Sequence, residues 1–229
     1  MMQRTILLLT LNEIAGVTAH RDVIANLSAD EILAVDGGST DGTVEVLEEL
    51  GVSVYRQKRP GRGAAIREGV GKTLGDRIVI FSPDGNENPQ DIDRLFELLD
   101  DGYDVSVASR FLPGSRNEED DDALPLRKLA NQAFTGLANI LWAPDGIRVS
   151  DAINGFRGFR RDAFNLMGIQ SDRFTVEYEM TQRALRLGLR IGEIPTQEGN
   201  RIGGETKAPS IRTGIEFSRF VVGQIIRGT

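Results

Sequence analysis

Val35-Asp36-Gly37-Gly38-Ser39-Thr40-Asp41-Gly42-Thr43 joins a buried strand, Glu31–Val35, to a short helix, Val44–Leu50. The strand side is apolar and β-branched. The turn side is glycine-rich, so the backbone can bend sharply and approach a ligand closely. Asp36 projects from the strand end, where a carboxylate accepts hydrogen bonds from a nucleobase or ribose. It also has the ordinary reading of an Asx turn, which accounts for Asp41 to Thr43, with Thr43 as helix cap.

The same alternation extends outward. Thr5–Leu11, Val52–Tyr55, Arg77–Phe81 and Asp104–Ser109 are further apolar, strand-forming runs. Helical stretches at Val17–Leu27, Arg62–Leu74 and Pro89–Leu99 lie between them. Continuous apolar strands separated by helices predict an α/β fold with a mostly parallel central sheet covered on both faces. Ligands bind such sheets at the carboxyl ends of the strands. The polar segments Asn12-Glu13, Asp36, Ser82–Asn86 and Ser109-Arg110 all fall there.

The second half is less regular. Residues 113–124 carry a run of five acids, Glu118–Asp122, expected as a mobile, solvated loop and not a metal site. Helices are expected at Leu126–Trp142 and Phe174–Leu187, a strand region at Val149–Phe159, a strand at Arg190–Ile194 and a flexible loop at Gly199–Pro209. Ser210–Arg227 forms a final amphipathic helix. Its apolar stripe suits core packing or a homodimer contact. Arg212, Arg219 and Arg227 on it would also suit an anionic membrane surface.

The chain has 229 residues, no cysteine and one histidine, His20. Cysteine nucleophiles, disulfides and thiolate zinc sites are thereby excluded. His20, in a polar N-terminal stretch, is expected to be structural. A net charge of −7 argues against general nucleic-acid binding. The charge is uneven, however: residues 183–229 hold eight basic residues against four acidic ones, a local bias toward an anionic ligand or membrane surface. No signal peptide is apparent and no run of 18 apolar residues occurs, so a cytoplasmic protein, at most at the inner face of the membrane, is expected. No Gly-x-Gly-x-x-Gly opens the first βα turn, which argues against a nicotinamide dehydrogenase.

The Asp36–Thr43 block resembles the Asp-Asp-Gly-Ser-x-Asp-Gly-Thr motif of family 2 glycosyltransferases. Further segments follow in the family's order: Asn12-Glu13, Gly61-Arg62-Gly63-Ala64-Ala65, Ser82-Pro83-Asp84-Gly85-Asn86, Ser109-Arg110-Phe111, Asp151 with Gly155-Phe156-Arg157, and Arg201-Ile202-Gly203-Gly204-Glu205-Thr206-Lys207. The last three resemble the dolichol-phosphate mannose synthase and polyprenyl-phosphate glycosyltransferase branch. The likeness spans roughly residues 5–210. Gly37 stands where a second Asp is usual, and Ser82 where the first metal-binding Asp is usual.

The resemblance implies one GT-A domain over residues 1–229: a nucleotide-binding half (1–112), an acceptor-binding half (113–209) and the C-terminal helix (210–228). It implies donor contacts from Leu11, Asn12, Glu13, Asp36, Gly38, Arg62, Gly63 and Asp84. Mg²⁺ or Mn²⁺ would lie on Asp84 and Asn86, with Asp84, Arg110 and Arg201 acting in catalysis. The acceptor phosphate would meet Arg110, Arg127, Asn131, Arg157 and Lys207. Guanidinium groups suit phosphate through paired charge-assisted bonds. Glu177 or Glu179 would contact the donor sugar, or would complement the dipole of its helix.

The expected activity is inverting transfer of a hexose from a GDP- or UDP-linked sugar to a polyprenyl phosphate. That acceptor is already ionised near neutral pH and needs no strong base. The alternatives are a family 2 transferase with a soluble acceptor, and a nucleotide-sugar-binding module without turnover.

Overall fold

The computed structural model describes residues 3–122, 124–202 and 210–226. Seven strands form one sheet in the order β3-β2-β1-β4-β6-β5-β7. They are β1 (Arg4–Thr10), β2 (Glu31–Asp36), β3 (Ser53–Arg56), β4 (Arg77–Phe81), β5 (Val105–Ser109), β6 (Arg157–Arg160) and β7 (Ile191–Pro195). All pairings are parallel except those of β6, which runs antiparallel to β4 and β5.

Successive residues of β1 serve opposite faces, as strand geometry requires. Leu7 and Leu9 join the core built with α4 (Arg62–Val70), α7 (Arg161–Met167) and α8 (Val176–Arg186). Ile6 and Leu8 join the core with α1 (Ile14–Ala19), α2 (Arg21–Ala25), α3 (Thr43–Glu49) and α5 (Asp91–Asp100). A third cluster joins α6 (Leu126–Trp142), α8 and α9 (Ser210–Ile226) through Ala138, Tyr178, Leu185, Phe217 and Val221. The expected mostly parallel sheet with helices on both faces is what the structure contains.

Four expectations are corrected. Val17–Leu27 is two short helices meeting at His20, not one. Thr43 begins α3 and does not cap it; its hydroxyl accepts a bond from the Glu13 amide, 2.9 Å. Of the expected strand region Val149–Phe159 only the last three residues are strand, as the start of Arg157–Arg160, and α7 follows directly. The acidic run is not a free solvated loop: Glu118 and Glu119 pair with Arg127, and Asp120 pairs with Lys128.

The antiparallel β6 is what assembles the site. Arg157, the first residue of β6, lies opposite Ile80 near the carboxyl end of β4 and opposite Val107 at the middle of β5. The segment 150–156, which enters β6, therefore arrives at the same sheet edge as Asp84 and Arg110.

Candidate active site

Two clefts open along this edge. The first, of about 500 Å³, is lined by Leu11, Glu13, Gly37, Gln57 and Gly61 among others. The second, of about 700 Å³, is lined by Arg110, Glu118, Arg127, Asn131 and Glu198, with Leu124, Leu126, Phe134 and Phe217. Arg62, Ser82, Asp84, Phe174 and Thr213 line both, so the clefts share a wall at the end of β4.

Asp84 stands at that junction. Its Oδ2 lies 3.2 Å from Arg201 Nη1, and its Oδ1 accepts a bond from the Asn86 amide, 3.2 Å. Arg201 Nη2 also donates to Glu13 Oε1, 2.6 Å, so one arginine ties the β1 and β4 ends together. Asn86 Oδ1 is buried without a hydrogen-bond partner, an arrangement that costs free energy unless a ligand fills it. A neutral amide oxygen and a carboxylate suit a hard divalent cation, which completes its shell from other oxygens. Asp84 and Asn86 thus fit Mg²⁺ or Mn²⁺. Among the described residues no group of three or more His, Cys, Asp or Glu side chains is placed to hold a metal, so the remaining ligands would come from a bound diphosphate and water. Beside them Glu87 is half-buried, and desolvation together with Asp84 holds its carboxyl well above the usual range. It accepts a bond from the Ser82 amide, 2.7 Å.

Arg62 pairs with Glu177 and reaches Ser82 Oγ at 3.4 Å. Arg110 is gripped by Asp151 through Nε (2.7 Å) and Nη2 (3.0 Å). Its Nη1 lies 3.7 Å from Glu198. Burial opposes the charge on Arg110, but Asp151 outweighs it and raises the guanidinium pKa. Glu198 is pushed up to about 7, by burial first and by Asp151, against the pull of Arg110.

Several expected contacts are not in the clefts. Arg157 is fully buried and donates to the carbonyls of Asn154 (2.7 Å), Glu177 (3.0 Å) and Ala152 (3.4 Å) and to Thr181 Oγ1 (3.1 Å). It is a core strut and cannot meet an acceptor phosphate. Burial lowers its pKa to about 10, which leaves it charged near neutral pH. Asp36 is 1% exposed, and its Oδ2 accepts from the Gly38 (2.7 Å) and Ser39 (2.9 Å) amides. It shapes the turn, and Gly37 lines the cleft in its place.

Gly38 has φ +101 and serves that same turn. Gly63 is buried, and a Cβ there would meet the Ser171 carbonyl oxygen at 2.0 Å, so it permits chain packing and not donor contact. Asn12 bridges the β1 and β2 loops, its Oδ1 accepting from the Thr40 amide, 2.9 Å. Of the two helix acids, Glu177 lines the second cleft, while Glu179 accepts from the Ser171 amide, 2.7 Å, and from Arg183, 2.8 Å. His20 lies outside both clefts, its Nδ1 2.9 Å from the Gly16 carbonyl. Lys207 lies outside the described residues. Glu198 is a site residue not anticipated from the sequence. The signal available was its place just past the end of β7.

The fold and its strand-end clefts are those of a GT-A nucleotide-diphospho-sugar transferase. The chain belongs to glycosyl transferase family 2, whose profile matches residues 5–167. It is a glycosyltransferase resembling the dolichol-phosphate mannose synthase branch. Over 220 residues it is 30% identical to the dolichyl-phosphate hexose transferase of Haloferax volcanii, covering 93% of this chain and 90% of that protein. It is 28% identical over 191 residues to the polyprenol monophosphomannose synthase of Mycolicibacterium smegmatis, covering 77% and 69%. To glycosyltransferase AglJ of Haloferax volcanii it is 30% identical over 188 residues, 80% of this chain but only 59% of AglJ. The fold matches glucosyl-3-phosphoglycerate synthase of Mycobacterium tuberculosis, crystallised with Mn²⁺, UDP and glucosyl-3-phosphoglycerate, with a TM-score of 0.68, 22% identity, and coverage of 99% and 79%.

Proposed function

We propose that the protein moves a hexose from a GDP- or UDP-linked donor to a polyprenyl phosphate, with inversion and with a divalent cation. The observation that carries this reading is the shared wall: the two clefts meet at Asp84 and Arg62. A donor in the first cleft would present its anomeric carbon to an acceptor in the second. The second cleft suits a lipid phosphate, because arginines 110 and 127 lie with the apolar Leu124, Leu126, Phe134 and Phe217. The names of the Haloferax and Mycolicibacterium relatives support the same acceptor class.

In this reading Asp84 and Asn86 hold the cation, which when bound neutralises the departing diphosphate as a Lewis acid. Arg201 adds charge beside it. Arg110, fixed by Asp151, and Arg127 orient the acceptor phosphate in line, so positioning and electrostatics supply the catalysis. The phosphate oxygen attacks directly and no base removes a proton. Asn131 of α6 lies in the same cleft.

The protein would work peripherally on the cytoplasmic face of a membrane. Among the described residues no helix is long and apolar enough to cross one. Leu126, Leu129 and Ile140 of α6 and Ile225 and Ile226 of α9 are exposed apolar side chains on the helices beside the acceptor cleft, suited to a lipid surface.

The test is a panel of GDP- and UDP-hexoses with farnesyl phosphate, with Mg²⁺, Mn²⁺ or chelator. A metal-dependent, lipid-extractable glycosyl phosphate from one donor is expected. Transfer only to a soluble hydroxyl would overturn the lipid acceptor. Metal-independent donor binding without turnover would point to a binding module.

A further inference from the structure

The arginines of the acceptor cleft are already engaged by carboxylates of the chain itself. Arg110 faces Asp151 and Glu198, and Arg127 faces Glu118 and Glu119. Glu118 has the distinctive position. One carboxylate oxygen pairs with Arg127, while Oε2 accepts a bond from Asn86 Nδ2, 3.0 Å. This carboxylate therefore bridges the acceptor arginine and a residue of the cation site. That bridge is the place a phosphate on Arg127 must occupy to approach a donor held at Asp84 and Asn86.

We propose that Glu118 is a built-in competitor, a carboxylate that stands in for the acceptor phosphate and lowers the affinity of the seat for every anion that must displace it. The proposal rests on the reading of this cleft as the acceptor site.

The surrounding contacts hold the segment that carries the carboxylate. The Glu118 amide donates to Glu198 Oε2, 3.2 Å, and Asn117 Nδ2 donates to the same oxygen, 3.0 Å. Glu119 Oε2 accepts from the Lys128 amide in the first turn of α6, 2.9 Å, and Asp120 pairs with Lys128. The backbone of 117–120 is thus stitched to both sides of the cleft. Those stitches use atoms other than the Glu118 carboxylate, so this side chain can leave Arg127 without unfastening the segment.

A phosphomonoester dianion exchanges one negative charge on Arg127 for two, a net gain in attraction that offsets the lost Asn86 bond. A monoanion exchanges one charge for one, so it binds more weakly at the start, and the carboxylate opposes both by the same factor. The competition is electrostatic and partly solvent-exposed, since the Arg127 side chain is 44% exposed, so it weakens as salt rises.

The experiment measures dissociation constants of phenyl phosphate and of its monomethyl ester at pH 8, where only the former is a dianion, for the wild type and Glu118→Gln. The wild type should prefer the dianion by about tenfold or more. In Glu118→Gln both ligands should bind more tightly, each several-fold and by a similar factor, because the displaced carboxylate opposes both alike, and the gain should shrink as salt rises. Unchanged or weaker binding of phenyl phosphate would overturn the proposal. Glu118→Asp, too short to span Arg127 and Asn86 together, provides a second variant. Its affinities should fall between the other two, and unaltered values count equally against the idea. The readout needs no sugar donor. If farnesyl phosphate proves not to be a substrate, the functional reading falls while anion competition is judged separately on these constants.

Discussion

Arg201 Nη1 lies 3.2 Å from Asp84 Oδ2, so the carboxylate fitted to hold a cation already carries a counter-charge from the segment after β7. A metal at Asp84 must share that oxygen with the guanidinium or displace it. Asp84→Ala should therefore remove the metal requirement and the activity together, lowering kcat by at least about 100-fold, since Lewis-acid stabilisation amounts to several kcal/mol. Chelation of the wild type should have a similar effect, and the two losses should not add. Arg201→Ala should behave differently, tightening metal binding while still lowering kcat, because the diphosphate loses a positive partner. Metal titrations followed by donor-dependent thermal shift separate the two variants. Equal metal affinity in Arg201→Ala and wild type would show that the ion pair is not a competitor.

Arg157 tests the distinction between core and cleft. Its guanidinium meets three carbonyls and one hydroxyl in a fully buried site between the 152–154 segment and α8. Removing it strands those acceptors, and breaking a buried charged network typically costs about 3–5 kcal/mol. Arg157→Met should lower the urea midpoint accordingly, while the acceptor KM of the folded fraction stays near that of the wild type. A raised KM with unchanged stability would return Arg157 to the acceptor site.

That residue also shows where sequence reading stops. Apolar runs located β1, β2, β4 and β5 because burial on both faces is written into consecutive residues. β6 is Arg-Gly-Phe-Arg, and its first arginine is buried only because backbone carbonyls from 152, 154 and 177 converge on it. Nothing local to residue 157 announces those partners. Motif position showed that Arg157 and Asp36 are special, without separating a strut or a turn from a ligand contact. Like-charge repulsion suggested a solvated 118–122, but left out Arg127 and Lys128 in the first turn of α6. The strand-end rule did find Asp84, Arg110 and Glu13. Applied equally to β7 it would have flagged Glu198.

Arg62 and Glu177 form an ion pair between the two halves of the chain, with Glu177 buried. Gly155 leaves room for it, since a Cβ there would meet Arg62 Nη2 at 2.3 Å. The obstructed atom is the tip of a flexible side chain, so Gly155→Ala should fold and should move Arg62 instead of the backbone. Arg62 lines both clefts, so this variant should raise the donor KM several-fold with a small change in stability. Arg62→Ala should also destabilise the fold, by about 3 kcal/mol or more, because Glu177 is left buried and unpaired. Steady-state kinetics and urea melts on both variants check the contrast. A Gly155→Ala protein as unstable as Arg62→Ala would contradict it.

Glu198 makes stability depend on pH in a direction that can be worked out. Its carboxyl is raised from the ordinary 4.5 to about 7, by burial first and by Asp151, with Arg110 and Arg127 opposing. Between those values the folded chain keeps a proton that the unfolded chain releases. The unfolded state therefore binds fewer protons, and stability falls as pH rises through this window and levels off above pH 7. The full effect of such a shift is on the order of 3 kcal/mol. Glu87 and Glu193 are raised as well, so the wild-type slope is a sum, and a difference measurement is needed to isolate Glu198. Glu198→Gln retains a carbonyl oxygen for the bonds from Asn117 and the Glu118 amide but cannot titrate. Urea midpoints at pH 5 and pH 7.5 should fall further for the wild type than for the variant, so that the variant is the more stable of the two at pH 7.5. Parallel changes in the two proteins would place the titration elsewhere.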